Sequence, residues 1–454
     1  MFQRRHMNLN QIAVVLLFFL SIRKVEANGR APASTDVQLF AGQTQKILLA
    51  STFGALISDD NGNTFQWICE EAIGYGGTFD PVFKAAANGD IYATTWQGLR
   101  VSKDGGCTFE TAEVFGGGNP GTRLENVFIS DFHLGQNGMF WAVSATAGES
   151  NDVYMSNDGN VFRSANLVAE NAWYRTIKVA PSDDNRIYVS KFVLAAGIEN
   201  SKAFLMRSLD GGSTWQELAL DEIEFGGQAT FDVLAVSNTD PNVIYARSEF
   251  ALAPAGDIIY RSDDGGDSFV EIARFPNGPV NAFQIRQDGS VIMGTASRCL
   301  EDSVDDDTER KGCVVTSMDG SVGSFTSTVA QPQMACVNEH PTNGRLYACG
   351  SNFSDDEFAL GVSDDGGATW DAVARFENIV GPLNCPGNPI QEKCATEDWP
   401  TVCETIGLCE QEPMVPEIAL PPETDGCSYS GSRNLGWYGL LLLGLWGISR
   451  RRVQ

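Results

Sequence analysis

Carboxylates are the chemically potent residue type this chain has in excess, with 58 Asp and Glu against 31 Lys and Arg and a formal net charge of −27. Two carboxyl groups flanking a glycosidic bond can hydrolyse it, one as acid and the other as base or nucleophile. Glu125, Glu224, Asp232 and Glu249 lie where loops meet strands and are the candidates for such a pair. So acidic a composition also places carboxylates there by chance. Trp96, Trp173, Tyr174, Phe192 and Phe225 share those regions and offer flat apolar faces for a glycan or peptide. Trp173 and Tyr174 fit equally well as plugs between neighbouring structural units.

Other chemistries are poorly supplied. Only three His exist; His6 lies in the leader, and His133 and His340 read as exposed residues of hairpin turns. This argues against a His-rich metal site and a Ser-His-Asp triad. The acidic run Glu301 to Asp307 could bind Ca²⁺, but it lacks the spacing and Gly of an EF-hand loop and reads more simply as a solvated insertion. No other cofactor is implied. Nucleic acid is disfavoured as a partner because phosphate binding needs a basic face. The acidic charge also serves simply to keep the protein soluble.

The elements that must position these residues announce themselves by repetition. The phrase SLDGGSTW (Ser208 to Trp215) recurs as SDDNGNTF from Ser58, SKDGGCTF from Ser102, SDDGGDSF from Ser262 and SDDGGATW from Ser363. SNDGNVF from Ser156 is one residue short, and SMDGSVGSF from Ser317 one residue long. The seven copies are spaced 44 to 55 residues apart. Each is preceded by two apolar strands around a tight turn, as in TIKVAPSDDNRIYVS, and by a short third strand that ends on the Ser. A fourth strand begins at the Trp or Phe. Four short antiparallel strands per unit at this period predict an all-β, seven-bladed β-propeller over residues 35–380. Ring closure must join the unit near Val37 to the unit near Ile379. No strand exchange is expected, because the first unit already has four strands.

Within the phrase, the Asp two residues after the Ser can accept backbone N–H groups of the turn, and Gly supplies positive φ. The aromatic residue folds back as a plug. This S-x-D-x-G-x-T-W/F pattern is similar to the Asp-box, or bacterial-neuraminidase repeat, of sialidases, xyloglucan-cleaving hydrolases, sortilin-type receptors and a photosystem assembly factor. TDPNVIYARS from Thr239 resembles the first hairpin of the xyloglucanase-type repeat. The resemblance implies structural roles for Asp60, Asp104, Asp158, Asp210, Asp264, Asp319 and Asp365, with the binding site on the opposite face. Sialidase activity is disfavoured: the first unit, DVQLFAGQTQKILLA, contains none of the Arg such enzymes need for their substrate carboxylate.

The ends read differently. A basic start and 11 apolar residues from Ile12 to Ile22 fit a signal peptide over residues 1–27, which predicts export. Residues 381–425 are rich in Cys and Pro and read as a disulfide-knotted stalk. Residues 426–454 join Cys427, an apolar run and an Arg cluster, and resemble the C-terminal sorting signals of myxobacterial surface proteins; a simple membrane anchor is the alternative. Of the 11 Cys, Cys299 with Cys313 and Cys336 with Cys349 can staple loops. Cys69 and Cys107 occupy equivalent places in neighbouring units. Cys385, Cys394, Cys403 and Cys409 are expected to form two local bridges, leaving Cys427 for processing. The reading is a monomeric, surface-retained propeller that binds a glycan or protein ligand, with a glycoside hydrolase of extracellular polysaccharide as the alternative.

Overall fold

Each third strand ends on the serine of its turn phrase, and that serine begins the lock that shapes the molecule. The computed structural model describes residues 30–77, 79–115, 122–193, 201–221, 223–225, 230–250, 256–275, 279–295, 312–329 and 332–409. The leader, the Glu301 to Asp307 run, residues 410–425, Cys427 and the terminal segment lie outside them.

Seven four-stranded antiparallel units follow the chain. They start at Ser34, Phe83, Ile129, Ala172, Phe231, Val280 and Cys336, and are called blades 1 to 7. Their Val-, Ile- and Tyr-rich strands suit a pleated surface packed on both faces. The first strand of each blade touches the first strand of the next, and Cys336–Glu339 of blade 7 returns to Ser34–Leu39 of blade 1. The first strands are therefore innermost and the ring is closed.

The turn geometry is the same in the five full phrases and is illustrated by Ser208–Trp215. Ser208 donates to Asp210 Oδ1 (2.9 Å) and accepts from the Gly212 N–H (2.8 Å). Thr214 donates to Asp210 twice, through its N–H (2.8 Å) and its hydroxyl (2.6 Å). Trp215 folds back and donates to the Ala165 carbonyl at the edge of blade 3 (3.1 Å). All seven turn carboxyls sit below their ordinary range. At Asp365 the hydroxyl and N–H of Thr369 lead, lowering the group to about 2.

The turn glycine carries the contact between blades. Gly212 has φ +81°, and a Cβ there would stand 2.6 Å from Trp141 of blade 3. The same relation runs around the ring. Gly106 meets Ile68, Gly266 meets Leu205, Gly367 meets Ile292, and Gly62 meets Val373 across the closure. In the two irregular phrases the glycine instead faces a tyrosine hydroxyl of the preceding blade, Gly159 against Tyr92 and Gly320 against Tyr245. In all seven cases the backbone itself fits against the preceding blade.

Ring closure differs from the sequence expectation. Blade 1 does have four strands of its own, but Ile379–Pro382 adds a fifth, parallel to its outer strand Phe65–Ile68. Blade 3 is extended in the same way: Glu113–Phe115, following the outer strand of blade 2, runs parallel to Val161–Ser164. Each device covers an outer strand edge that would otherwise present unpaired backbone groups.

The following segment is also not a freestanding stalk as far as residue 409. Asn388 caps the helix Pro389–Lys393 by accepting from the Ile390 and Gln391 N–H groups. A second helix, Trp399–Thr405, places Trp399 against Trp67 of blade 1, with ring centroids 5.5 Å apart. Only Cys403–Cys409 is a local bridge. Cys385 bonds to Cys107 of blade 2 and Cys394 to Cys69 of blade 1. Cys336 and Cys349 face each other across neighbouring strands, as expected, and Cys313 is bonded to a partner outside the described residues. The pairing differs because the arm lies along blades 1 and 2, bringing its first two cysteines to their rims.

Three outcomes follow. Gly212→Ala is expected to cost about 2–4 kcal/mol, from left-handed strain plus overpacking on Trp141, read by denaturant melts. The depressed turn carboxyls contribute stability that is complete above the unfolded value of about 4 and is lost as pH falls toward their folded values. Melting temperature should therefore drop between about pH 5 and pH 2, and less steeply in Asp365→Asn. The Cys69→Ala/Cys394→Ala double variant should lose about 2–5 kcal/mol, with the arm becoming protease-sensitive before the blades.

Candidate functional site

The seven turns lie on one face, where their side chains are committed to one another. The opposite face is built from the loops joining second to third strands and from the links between blades. On it the link between blades 1 and 2 supplies Phe79, the loop of blade 2 supplies Trp96, and the link between blades 2 and 3 supplies Phe128. Trp96 stacks on Phe128 with centroids 4.0 Å apart and planes at 19°. Phe79 meets both rings edge-on, at 5.5 Å and 5.4 Å. Trp96 remains 55% exposed. A large indole fixed by two rings and open to solvent offers an apolar platform of the kind pyranose rings stack on. Sequence reasoning found Trp96 but missed its supports. Each is the one aromatic in a connecting segment, GGTFDP and NVFIS, which was the available signal.

Beside this ridge is a cavity of about 270 Å³ lined by Gln97, Arg100, Thr111, Glu125 and Asn126. Arg100 is fixed: it donates to the Ile73 carbonyl (3.1 Å), Thr111 Oγ1 (2.7 Å) and the Phe109 carbonyl (2.5 Å). Asn126 adopts the left-handed conformation, φ +60°. Glu125 and Asn126 are exposed.

A second polar centre joins blades 4 and 5 near the channel. Arg175 on the first strand of blade 4 pairs with Asp232 on the first strand of blade 5 (2.8 Å). Arg247 reaches Asp232 (2.9 Å), Glu249 (3.4 Å) and Asp257 (3.6 Å). Burial raises the Asp232 carboxyl, but Arg175 and then Arg247 outweigh it and hold the group down to about 2. Burial pushes Asp257 up to about 6 despite Arg247, yet its side chain is 2% exposed and accepts from the Val280 N–H (2.7 Å). Asp232 and Glu249 are thus brought together, but around shared guanidinium groups. Asp232 is buried, which corrects its reading as an open ligand carboxylate. Glu249 is 41% exposed at the edge of the network. Glu224 stands apart from it, paired with Arg274 (2.8 Å).

Several other expected contacts face inward. Tyr174 is fully buried, and its hydroxyl donates to the Leu167 carbonyl (2.6 Å). Phe192 is buried and tilted against the half-buried Trp173 at 5.8 Å. Phe225 packs on the core between blades 4 and 5. Neither His is an exposed turn residue. His340 is 4% exposed, with Nε2 3.1 Å from the Thr44 carbonyl across the ring closure. His133 lies on an innermost strand, where burial and Lys178 push it down to about 3 against the pull of Asp131. Glu71, Cys394 and Asp398 converge, but the Cys394 sulfur is committed to its disulfide.

No family model matches the chain. A xyloglucanase from Paenibacillus sp. is 26% identical over 202 residues, covering 42% of this chain and 15% of that protein. The chain therefore corresponds to a small part of that relative's length. Among solved structures, an ancestral GH74 enzyme superposes with TM-score 0.50 at 15% identity, covering 76% of this chain and 46% of the other. The GH74 enzyme of Niastella koreensis gives 0.42 at 14% identity, covering 75% and 65%. YCF48 from Cyanidioschyzon merolae gives 0.41 at 12% identity, covering 70% and 93%. The chain is a seven-bladed β-propeller with structural similarity to these proteins.

Proposed function

We propose that the chain is a glycoside-hydrolase-like propeller that engages a neutral extracellular polysaccharide on the face opposite its seven turns. The observation that carries this reading is the Trp96 platform, exposed and held by Phe128 and Phe79. The acidic charge of the chain favours neutral over anionic glycans, which it repels. The disulfides fit an exported protein, in keeping with a signal peptide and a surface-directed C-terminus.

Hydrolysis is the second reading, and the match to the Paenibacillus xyloglucanase favours it. On this face Asp232 and Glu249 come together, but Asp232 is buried with both oxygens held by Arg175 and Arg247, so Glu249 is the carboxylate of the pair left open to a substrate. Incubating the protein with xyloglucan and unbranched β-glucans separates the readings. Retardation in a polysaccharide gel without new reducing ends supports binding. Release of reducing ends that stops in Glu249→Gln supports turnover. In either case Trp96→Ala should weaken retention about 10-fold or more, roughly 1.4 kcal/mol, with only a small drop in melting temperature from the lost stacking on Phe128. Equal retention by wild type and Trp96→Ala would remove the platform from the account.

A further inference from the structure

Resting on that reading, we infer that the cavity beside Trp96 is a hydroxyl-recognising subsite for one sugar unit of a neutral glycan, with Gln97, Glu125 and Asn126 as its hydrogen-bonding groups. The cavity has a fixed base and unengaged walls. Arg100 and Thr111 bond to each other, and Arg100 also bonds to two carbonyls, so this part of the lining is rigid before any ligand arrives. The side chains of Gln97, Glu125 and Asn126 have no hydrogen-bond partner among the described residues, yet all three line one space of about 270 Å³.

Their chemistry is complementary to hydroxyl groups. Two amides offer both donors and acceptors, and one carboxylate offers acceptors alone. A sugar hydroxyl is both donor and acceptor, so vicinal hydroxyls can bridge such a set. Position links the cavity to the platform. Gln97 follows Trp96 in the chain, and Asn126 precedes Phe128 by two residues. The indole and the amides are therefore presented by the same two loops. In this assignment one ring of the glycan stacks on Trp96 and a neighbouring ring enters the cavity. Glu125 adds a negative charge to the cavity, while the Arg100 guanidinium is already occupied. A uronic acid is disfavoured there.

Isothermal titration of the full chain with neutral gluco-oligosaccharides of two to six units, alongside galacturonate oligomers of equal length, tests this. Asn126→Ala and Glu125→Ala should each weaken the neutral oligosaccharides about 10-fold while leaving the melting temperature unchanged. Glu125→Gln, which keeps an acceptor, should recover most of the loss. Glu404→Gln, exposed on the helix Trp399–Thr405 and outside the cavity, should bind like wild type. If Trp96→Ala abolishes binding but the Glu125 and Asn126 variants bind like wild type, the subsite assignment fails and the platform stands. Tighter binding of galacturonates than of neutral oligomers would show that Arg100 recognises an anion and would overturn the assignment. If no neutral glycan binds the wild-type chain, the functional reading and this one fall together.

Discussion

A glycine backbone pressed against the preceding blade is the contact on which the rest of the structure depends. In each full turn phrase the Ser and Asp side chains take up the turn's N–H groups, fixing a backbone whose glycine has positive φ. That glycine then lies where a methyl group would collide with a neighbour's Trp, Leu, Ile or Val, or with a Tyr hydroxyl in the irregular phrases. Close approach and left-handed geometry are demanded at once, and only glycine meets both. Because the contact is made seven times, including Gly62 on Val373 across the closure, it sets how neighbouring blades pack all the way around.

Closure nevertheless needs more than repetition. Blade 7 and blade 1 are far apart in sequence, so their pairing carries a large loop entropy. The chain meets this with Ile379–Pro382 alongside blade 1, His340 on the Thr44 carbonyl, and two disulfides of sequence separation 325 and 278. The parallel addition at blade 3 shows that an added outer strand is a device the fold also uses away from the seam.

The fold was legible because its signal is periodic. Seven serines end seven third strands at the positions the phrases mark. The arm was not legible because GPLNCPGNPIQEKCATEDW has no period to read, and its cysteine partners are set by where the arm lies on the ring. Tyr174, open in the sequence between a rim contact and a plug between blades, takes the plug position, and the choice has a local reason. A register shift between Tyr174 and Ile177 alters which residues of that strand face inward, and simple alternation does not reveal it. Asp232 was one of several candidate carboxylates, and its burial was not legible because its two arginine partners come from different blades. Trp96 was visible as a lone exposed indole in a short loop. Phe79 and Phe128, which make it a platform, reach it only through the tertiary structure.

The two faces therefore divide the labour. One is saturated by its own hydrogen bonds and holds the ring, while the other keeps a propped indole and unengaged amides. This division is tested most directly by hydrogen-exchange mass spectrometry of the full chain with and without soluble xyloglucan. The account predicts slowed exchange in peptides spanning residues 96–100 and 122–128, with the seven turn phrases unchanged. Protection concentrated in the turn phrases, with none around Trp96 and Phe128, would contradict it.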